Sequence, residues 1–392
     1  MSSFIPYGKQ WIEKDDIERV IEILNDDFIT TGPKIEEFEK RICKECGCKF
    51  AVATSSGTAA LHISSLSILN KGDRVLTTPN SFLATSNAIL YAQATPIFVD
   101  INKDGNINLD ECIKILEKEQ SIKAIYVVHF SGNPVEQKKL EYIKENFNVK
   151  ILEDCSHSLG AYEDRVKAGS CKNSDMSTLS FHPVKHITTG EGGAVTTNDE
   201  RIYKKLLSLR NHGVVKDNFE NIKLAFDEKG NKNPWYYEMQ QLGFNYRITD
   251  FQCALGISQF DKLNGFLKKR RYLADRYDKA LKDNDIIKPL YTYRKNSSYH
   301  LYVVMIDFSL LSITKAELFY MAKDNNIGFQ VHYIPIYKQP YYVKLGYGGL
   351  NLENTETYYK QAVSIPMYPR LTEKEQDFVI NFLLDTIERH KI

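Results

Sequence analysis

The chain has 392 residues, 43% hydrophobic and 26% charged, a globular composition long enough for a large core and two domains. Its 51 Lys and Arg face 50 Asp and Glu, a net charge of +1 that removes the electrostatic case for nucleic acid or an anionic membrane surface. No run approaches the roughly 18 apolar residues of a membrane span. The opening Met-Ser-Ser-Phe-Ile-Pro-Tyr lacks the basic and apolar pattern of a leader, so a cytoplasmic location is expected.

The first clear helical pattern covers 35–46. Cys43, Cys46 and Cys48 cluster at its end, but no Cys or His pair follows at zinc-site spacing. Ordinary thiols are the simpler reading, and no metal is expected. The seven cysteines, an odd number spread along the chain, suit a reducing compartment.

From residue 50 onward, short β-rich runs alternate with helical patterns. Strands are expected at 50–54, 74–78, 96–100, 124–130, 150–153, 176–181 and 194–197. Helices are expected at 59–69, 83–92, 109–119 and 136–146. Such alternation predicts an α/β fold with a seven-stranded, mostly parallel sheet covered on both faces. Ligands bind such sheets beyond the strand carboxyl ends, where Pro79 to Phe82, His129, Asp154 and Lys185 fall.

Near residue 255 the texture changes. Helical stretches at 255–281, 315–325 and 373–392 flank strands expected at 299–307 and 329–333. The reading is a large domain over 1–254 and a smaller α+β domain over 255–392. The basic run Lys268-Lys269-Arg270-Arg271 lies in a helical pattern and is expected to be a solvated face.

Ser180 to Asn198 carries the most chemistry. Lys185 follows an apolar strand and precedes Gly190-Glu191-Gly192-Gly193. A partly desolvated amine beside a glycine-rich turn can attack an aldehyde, as the lysine that holds pyridoxal 5'-phosphate (PLP) must. Ser55-Ser56-Gly57-Thr58 follows a strand and opens a helix, which suits a phosphate and equally an ordinary N-cap. Ser180 could add a hydroxyl. Asp154, past the strand ending near Leu152, is either the partner of a cationic ring or a helix-capping residue. His157 could reach a ring or serve the fold. Phe82 could stack on a ring or belong to the core.

Together with Arg210-Asn211-His212-Gly213, Gly243-Phe244-Asn245-Tyr246-Arg247, His332-Tyr333-x-Pro335 and Ser364-Ile365-Pro366, these motifs carry a resemblance over nearly the whole length. The chain resembles the DegT/DnrJ/EryC1/StrS family of nucleotide-sugar aminotransferases, fold-type-I PLP enzymes. The resemblance implies that Lys185 is the Schiff-base lysine and that Asp154 pairs with the pyridine nitrogen. It implies that Gly57, Thr58 and Ser180 hold the phosphate, with Phe82 and His157 flanking the ring. Asn245 is implied to reach the cofactor phosphate of a neighbouring subunit, so a homodimer with shared sites is expected. Arg247 is a candidate for the carboxylate of the amino donor. Some relatives with histidine at the lysine position are dehydratases; Lys185 favours transamination. Ser56 departs from the Asn frequent in the family.

Residues 29–34, 181–191, 234–239 and 330–333 resemble the subgroup of C4 aminotransferases of pseudaminic acid biosynthesis. That likeness implies a UDP-linked 2-acetamido-2,6-dideoxy-β-L-arabino-hexos-4-ulose as substrate and L-glutamate as donor. Tyr7, Thr30, Gln330, His332 and Tyr333 would line the sugar-nucleotide pocket. The rivals are an enzyme for another UDP- or GDP-4-keto-6-deoxy sugar and a PLP-binding regulator without turnover. A dinucleotide enzyme is disfavoured because no Gly-x-Gly-x-x-Gly follows the first strand.

Overall fold

The structure, a computed structural model, describes residues 4–392. Its central sheet is built from β1 (Phe50–Thr54), β2 (Arg74–Thr77), β3 (Thr95–Phe98), β4 (Ile122–Val128) and β5 (Lys150–Asp154). After a small hairpin, β6 (Tyr162–Glu163) and β7 (Val166–Lys167), come β8 (Met176–Ser180) and β9 (Gly193–Thr197). The spatial order is β1-β9-β8-β5-β4-β2-β3. Neighbours from β8 through β3 run parallel, and β9 is antiparallel to both β1 and β8. The seven expected strands are thus the seven found, with small shifts at their ends.

These strands read as continuous apolar runs because both faces are covered. Val75, Ala124, Tyr126, Leu152 and Val195 face one layer of helices. It contains α3 (Gly57–Ile68), α4 (Leu83–Tyr91) and α7 (Glu200–Arg210). Leu76, Ile125, Val127 and Ile151 face the other, with α5 (Leu109–Lys118) and α6 (Gln137–Asn146). Ahead of the sheet, α1 (Lys14–Leu24) and α2 (Pro33–Cys46) pack on the long helix α9 (Asp250–Leu281). Between α7 and α9 the chain makes an excursion with a short helix α8 (Ile222–Ala225) enclosed by the antiparallel pair β10 (Val214–Val215) and β11 (Glu238–Met239).

The second sheet is antiparallel: β12 (Ile287–Pro289), β13 (Tyr302–Ile306) and β14 (Ala362–Ile365). It packs with α10 (Lys315–Asp324) and α13 (Glu373–His390), while α11 (Pro340–Lys344) and α12 (Glu353–Gln361) complete the chain. Helix α9 serves both cores. Cys253, Phe260, Leu263 and Leu267 pack beside the large sheet. Leu273, Ala274, Tyr277 and Leu281 pack in the second core, joined there by Ile5 from the N-terminal segment. The expected division between 254 and 255 therefore falls inside one continuous helix.

Two local expectations need correction. Residues 329–333 form no strand; a single bridge joins Gln330 to Ser364, and the residues from Gln330 to Ile334 line a cavity instead. The basic run is not a solvated face throughout, because Arg270 is fully buried. Among the described residues, no helix is long and apolar enough to cross a membrane, and no group of His, Cys, Asp or Glu is arranged to hold a metal.

Candidate active site

A cavity of about 600 Å³ opens beyond the carboxyl ends of β2, β4, β5 and β8. Eleven of the expected site residues line it: Tyr7, Gly57, Thr58, Phe82, Asp154, His157, Ser180, Lys185, Gln330, His332 and Tyr333. Three do not. Thr30 is exposed in a bridge to Thr249, and Asn245 is exposed in a bridge to Asn211. Arg247 donates to Oδ1 of Asn211.

Lys185 stands in the turn after β8, its N–H donating to the carbonyl of His182 at 2.9 Å. The residue keeps some exposed surface, yet its amine is set deep in the cavity wall. Burial pushes that amine down to about 8; the negative charge of Asp154 opposes the shift and Arg270 adds to it. A lysine so placed holds a useful fraction of free, nucleophilic amine near neutral pH.

Asp154 ends β5 and is buried. Thr85, on the first turn of α4, donates to its Oδ2 at 2.7 Å, and Ser81 lies 2.9 Å from the Thr85 hydroxyl. The Ser156 N–H donates to Oδ1 at 3.0 Å. The carboxylate is held in one orientation, on a rigid strand end, facing the cavity.

The helix α3 supplies an anion cradle. Ser56 caps it by accepting from the Ala59 N–H at 3.1 Å. The N–H groups of Gly57 and Thr58 in the first turn have no intrahelical acceptor, and both residues line the cavity. A Cβ on Gly57 would lie 3.0 Å from Ser180 Cβ and 3.1 Å from its Oγ. That closeness brings a backbone N–H and a hydroxyl to the same point, as a phosphate requires. The first residue of β9 must be glycine as well, since a Cβ on Gly193 would lie 2.4 Å from the Ser56 carbonyl oxygen.

His157 Nε2 lies 3.1 Å from the Tyr333 hydroxyl, and the two rings stack at 6.1 Å. Its Nδ1 has no partner among the described residues. Phe82, at the mouth, is 58% exposed with its ring 6.2 Å from Tyr333, a free apolar face for a planar ligand. Opposite, His332 Nδ1 lies 2.9 Å from Ser364 Oγ, and its carbonyl accepts from the Tyr358 hydroxyl at 2.5 Å. Burial drives His157 and His300 well below the usual imidazole range and His332 down to about 3, so these rings are neutral at neutral pH.

Pattern reading missed Thr85, Ser156 and His300, all in the cavity wall. His129, expected among the strand-end residues, lies beneath the site and pairs with Glu153 at 2.9 Å. An anion cradle, an oriented buried carboxylate, a depressed lysine and an unpartnered imidazole nitrogen, set around a flat apolar face, fit pyridoxal phosphate group by group.

The fold and the site are those of a fold-type-I aminotransferase. The chain belongs to the DegT/DnrJ/EryC1/StrS aminotransferase family, which it matches over residues 10–384. It is 38% identical over 390 residues to the UDP-4-amino-4,6-dideoxy-N-acetyl-beta-L-altrosamine transaminase of Campylobacter jejuni, covering 99% of this chain and 98% of that protein. Helicobacter pylori PseC, an aminotransferase involved in the biosynthesis of pseudoaminic acid, has a solved structure that superposes with a TM-score of 0.90 at 31% identity. The match covers 99% of this chain and 100% of PseC. The PMP form of Spr1654 from Streptococcus pneumoniae matches with a TM-score of 0.86 at 25% identity over 98% of each chain.

Proposed function

We propose that this chain is a PLP-dependent transaminase moving the amino group of L-glutamate to C4 of UDP-2-acetamido-2,6-dideoxy-β-L-arabino-hexos-4-ulose. The product is UDP-4-amino-4,6-dideoxy-N-acetyl-β-L-altrosamine. The observation that carries the reading is the meeting of Lys185 and Asp154 in one cavity beyond the parallel strands. Full-length likeness to the Campylobacter jejuni transaminase supports the choice of sugar.

Bound PLP supplies an aldehyde that accepts the amino group and a ring that draws off electrons. The residues do the rest. Gly57, Thr58 and Ser180 bind the phosphate. Asp154, oriented by Thr85 and Ser156, pairs with the ring nitrogen. Phe82 and His157 flank the ring. Lys185 Nζ would hold the aldehyde. As a free amine the same nitrogen would take the proton from the donor's α-carbon and, in the second half of the cycle, would deliver one to C4 of the sugar. Tyr7, Gln330, His332 and Tyr333 orient the sugar nucleotide.

The ligands carry several negative charges, and Lys185 is the only lysine or arginine among the residues lining the cavity. That shortage supports a homodimer in which Asn245 and Arg247 serve the neighbouring site. The excursion that carries them exposes large apolar side chains, among them Trp235 at 75% and Leu242 at 77%, as a subunit contact would require. Thr30 joins the same contact in this reading. The large unit comprises the seven-stranded sheet and its helices, the small one the second sheet and α13, with α9 shared between them. The enzyme works in the cytoplasm, where UDP sugars and glutamate are available.

The test is an assay of amine transfer from glutamate to purified UDP-4-keto sugars of L-arabino and D-xylo configuration. Preference for the L-arabino epimer is expected. Turnover of the D-xylo epimer alone would replace the substrate assignment, and turnover of neither would defeat it.

A further inference from the structure

Arg270 lies on α9 where that helix passes from one core to the other, and its side chain is fully buried. Nη1 donates to the carbonyls of Tyr299 at 3.1 Å, His300 at 3.2 Å and Met367 at 3.0 Å. Nε and Nη2 have no partner among the described residues. All three acceptors are neutral, so a guanidinium is buried with only carbonyl dipoles to compensate it. The desolvation of such a charge costs several kcal/mol, and an apolar side chain would fill the space more cheaply.

What Arg270 holds is the bend ahead of β13. Tyr299 has φ +47, in the left-handed region, where a bulky residue is strained by about 1–3 kcal/mol. The bend is also pinned from the large sheet. His186, next to Lys185, donates from Nε2 to the Ser298 carbonyl at 3.2 Å, and Ser298 Oγ donates to the His157 carbonyl at 3.1 Å. The result is that the His300 ring sits 4.3 Å from the His157 ring, in the cavity wall, with both Nδ1 atoms unpartnered. A strained bend and a costly buried charge that together aim one side chain into an active site point to function rather than to packing.

We propose that Arg270 is a positioning residue for amine transfer: its carbonyl clamp holds His300 against His157 in the wall of the cavity that Lys185 lines. This inference rests on the reading of Lys185 as the cofactor lysine. The groups that act on that amine are Asp154 from β5 and Arg270 from α9. Around it stand the neutral rings of His157, His186, His300 and His332, with His182, Glu191, Tyr7 and Tyr333 in the same cavity. Removing the charge of Arg270 favours the protonated amine and moves its titration to higher pH.

The experiment compares the PLP-loaded full chain with Arg270→Met, Arg270→Lys and His300→Gln, reading kcat and KM for glutamate across pH and the pH titration of the bound cofactor's absorbance. Arg270→Met is expected to keep its KM, to lose kcat by a factor on the order of ten to a hundred, and to shift both pH midpoints upward. Arg270→Lys should keep the midpoints while losing part of kcat. His300→Gln should lose kcat without a shift. A folded Arg270→Met with wild-type kcat and midpoints overturns the inference. Should Arg270→Met fail to fold, wild-type kcat in both Arg270→Lys and His300→Gln overturns it. Undiminished transfer in Lys185→Ala would instead defeat the underlying reading of the site.

Discussion

Thr85 donates its hydroxyl hydrogen to Oδ2 of Asp154 across 2.7 Å, joining two residues 69 positions apart in the chain. The bond is buried and charge-assisted, and it leaves the carboxylate one orientation. Thr85→Val keeps the shape and removes the donor. Leaving a buried carboxylate oxygen without its donor costs about 1–3 kcal/mol, so cofactor affinity should fall on the order of tenfold. Equilibrium titration with PLP measures this, and unchanged affinity would remove Thr85 from the site's support.

Lys185 gives a pH dependence. Burial lowers its amine from 10.5 to about 8, against the pull of Asp154. Only the unprotonated amine attacks the aldehyde, so the rate of PLP capture by cofactor-free protein should rise with pH and level off above about 8. Stopped-flow absorbance follows the capture. A rate flat between pH 6 and pH 9, on the order of the whole expected transition, would show that the amine is not the titrating group.

Gly57 tests the phosphate cradle. An alanine Cβ would meet Ser180 at 3.0 Å, pushing the hydroxyl and the helix N-terminus apart. Gly57→Ala should weaken PLP binding more than it weakens pyridoxal binding, because only the phosphorylated form uses the cradle. Equal loss for both ligands would place the phosphate elsewhere.

Much of this was legible in the sequence. Strands buried on both faces read as apolar runs, so the seven-stranded sheet could be counted from pattern alone. Lys185, Asp154 and Gly57 sit at strand ends, where position along the chain implies position at the site. Thr85 and His300 carried no such signal: one looks like any first-turn helix threonine, the other precedes an ordinary strand, and only tertiary packing brings them to the cavity. Arg270 was misread because a run of four cations in a helical pattern suggests solvent, whereas Arg270 falls on the buried face of α9 with Leu263, Phe266, Leu267, Leu273 and Ala274, while Lys268 and Tyr272 are exposed. Residues 330–333 have strand composition but line the cavity, and Phe329 packs against the second core. Thr30, Asn245 and Arg247 lie outside this chain's cavity, a separation visible only in three dimensions.

Glu153, next to Asp154, is a matter of stability rather than chemistry. It is buried and accepts from His129 at 2.9 Å, Gln137 at 3.0 Å and Ser174 at 2.5 Å. Burial alone would raise its carboxyl, but the hydrogen bond and charge of His129, with Ser174 and Gln137, hold it below 4.5. A carboxyl lowered in the folded state stabilises fully above its unfolded value, and that contribution fades as pH falls through the folded value. Glu153→Gln should cost on the order of 3 kcal/mol near neutral pH, with the gap to wild type narrowing in acid. Urea unfolding at pH 7 and at about pH 4 compares them; a gap that does not narrow would contradict the account.

The central claim is that one nitrogen, Lys185 Nζ, both holds the cofactor and moves the proton. The direct measurement is the half-reaction: purified holoenzyme mixed with L-glutamate alone, with 2-oxoglutarate and pyridoxamine phosphate quantified over time. The account predicts stoichiometric formation of both in the wild type. Lys185→Ala, loaded with PLP, should form them slower by several orders of magnitude. Wild-type rates in Lys185→Ala would contradict it.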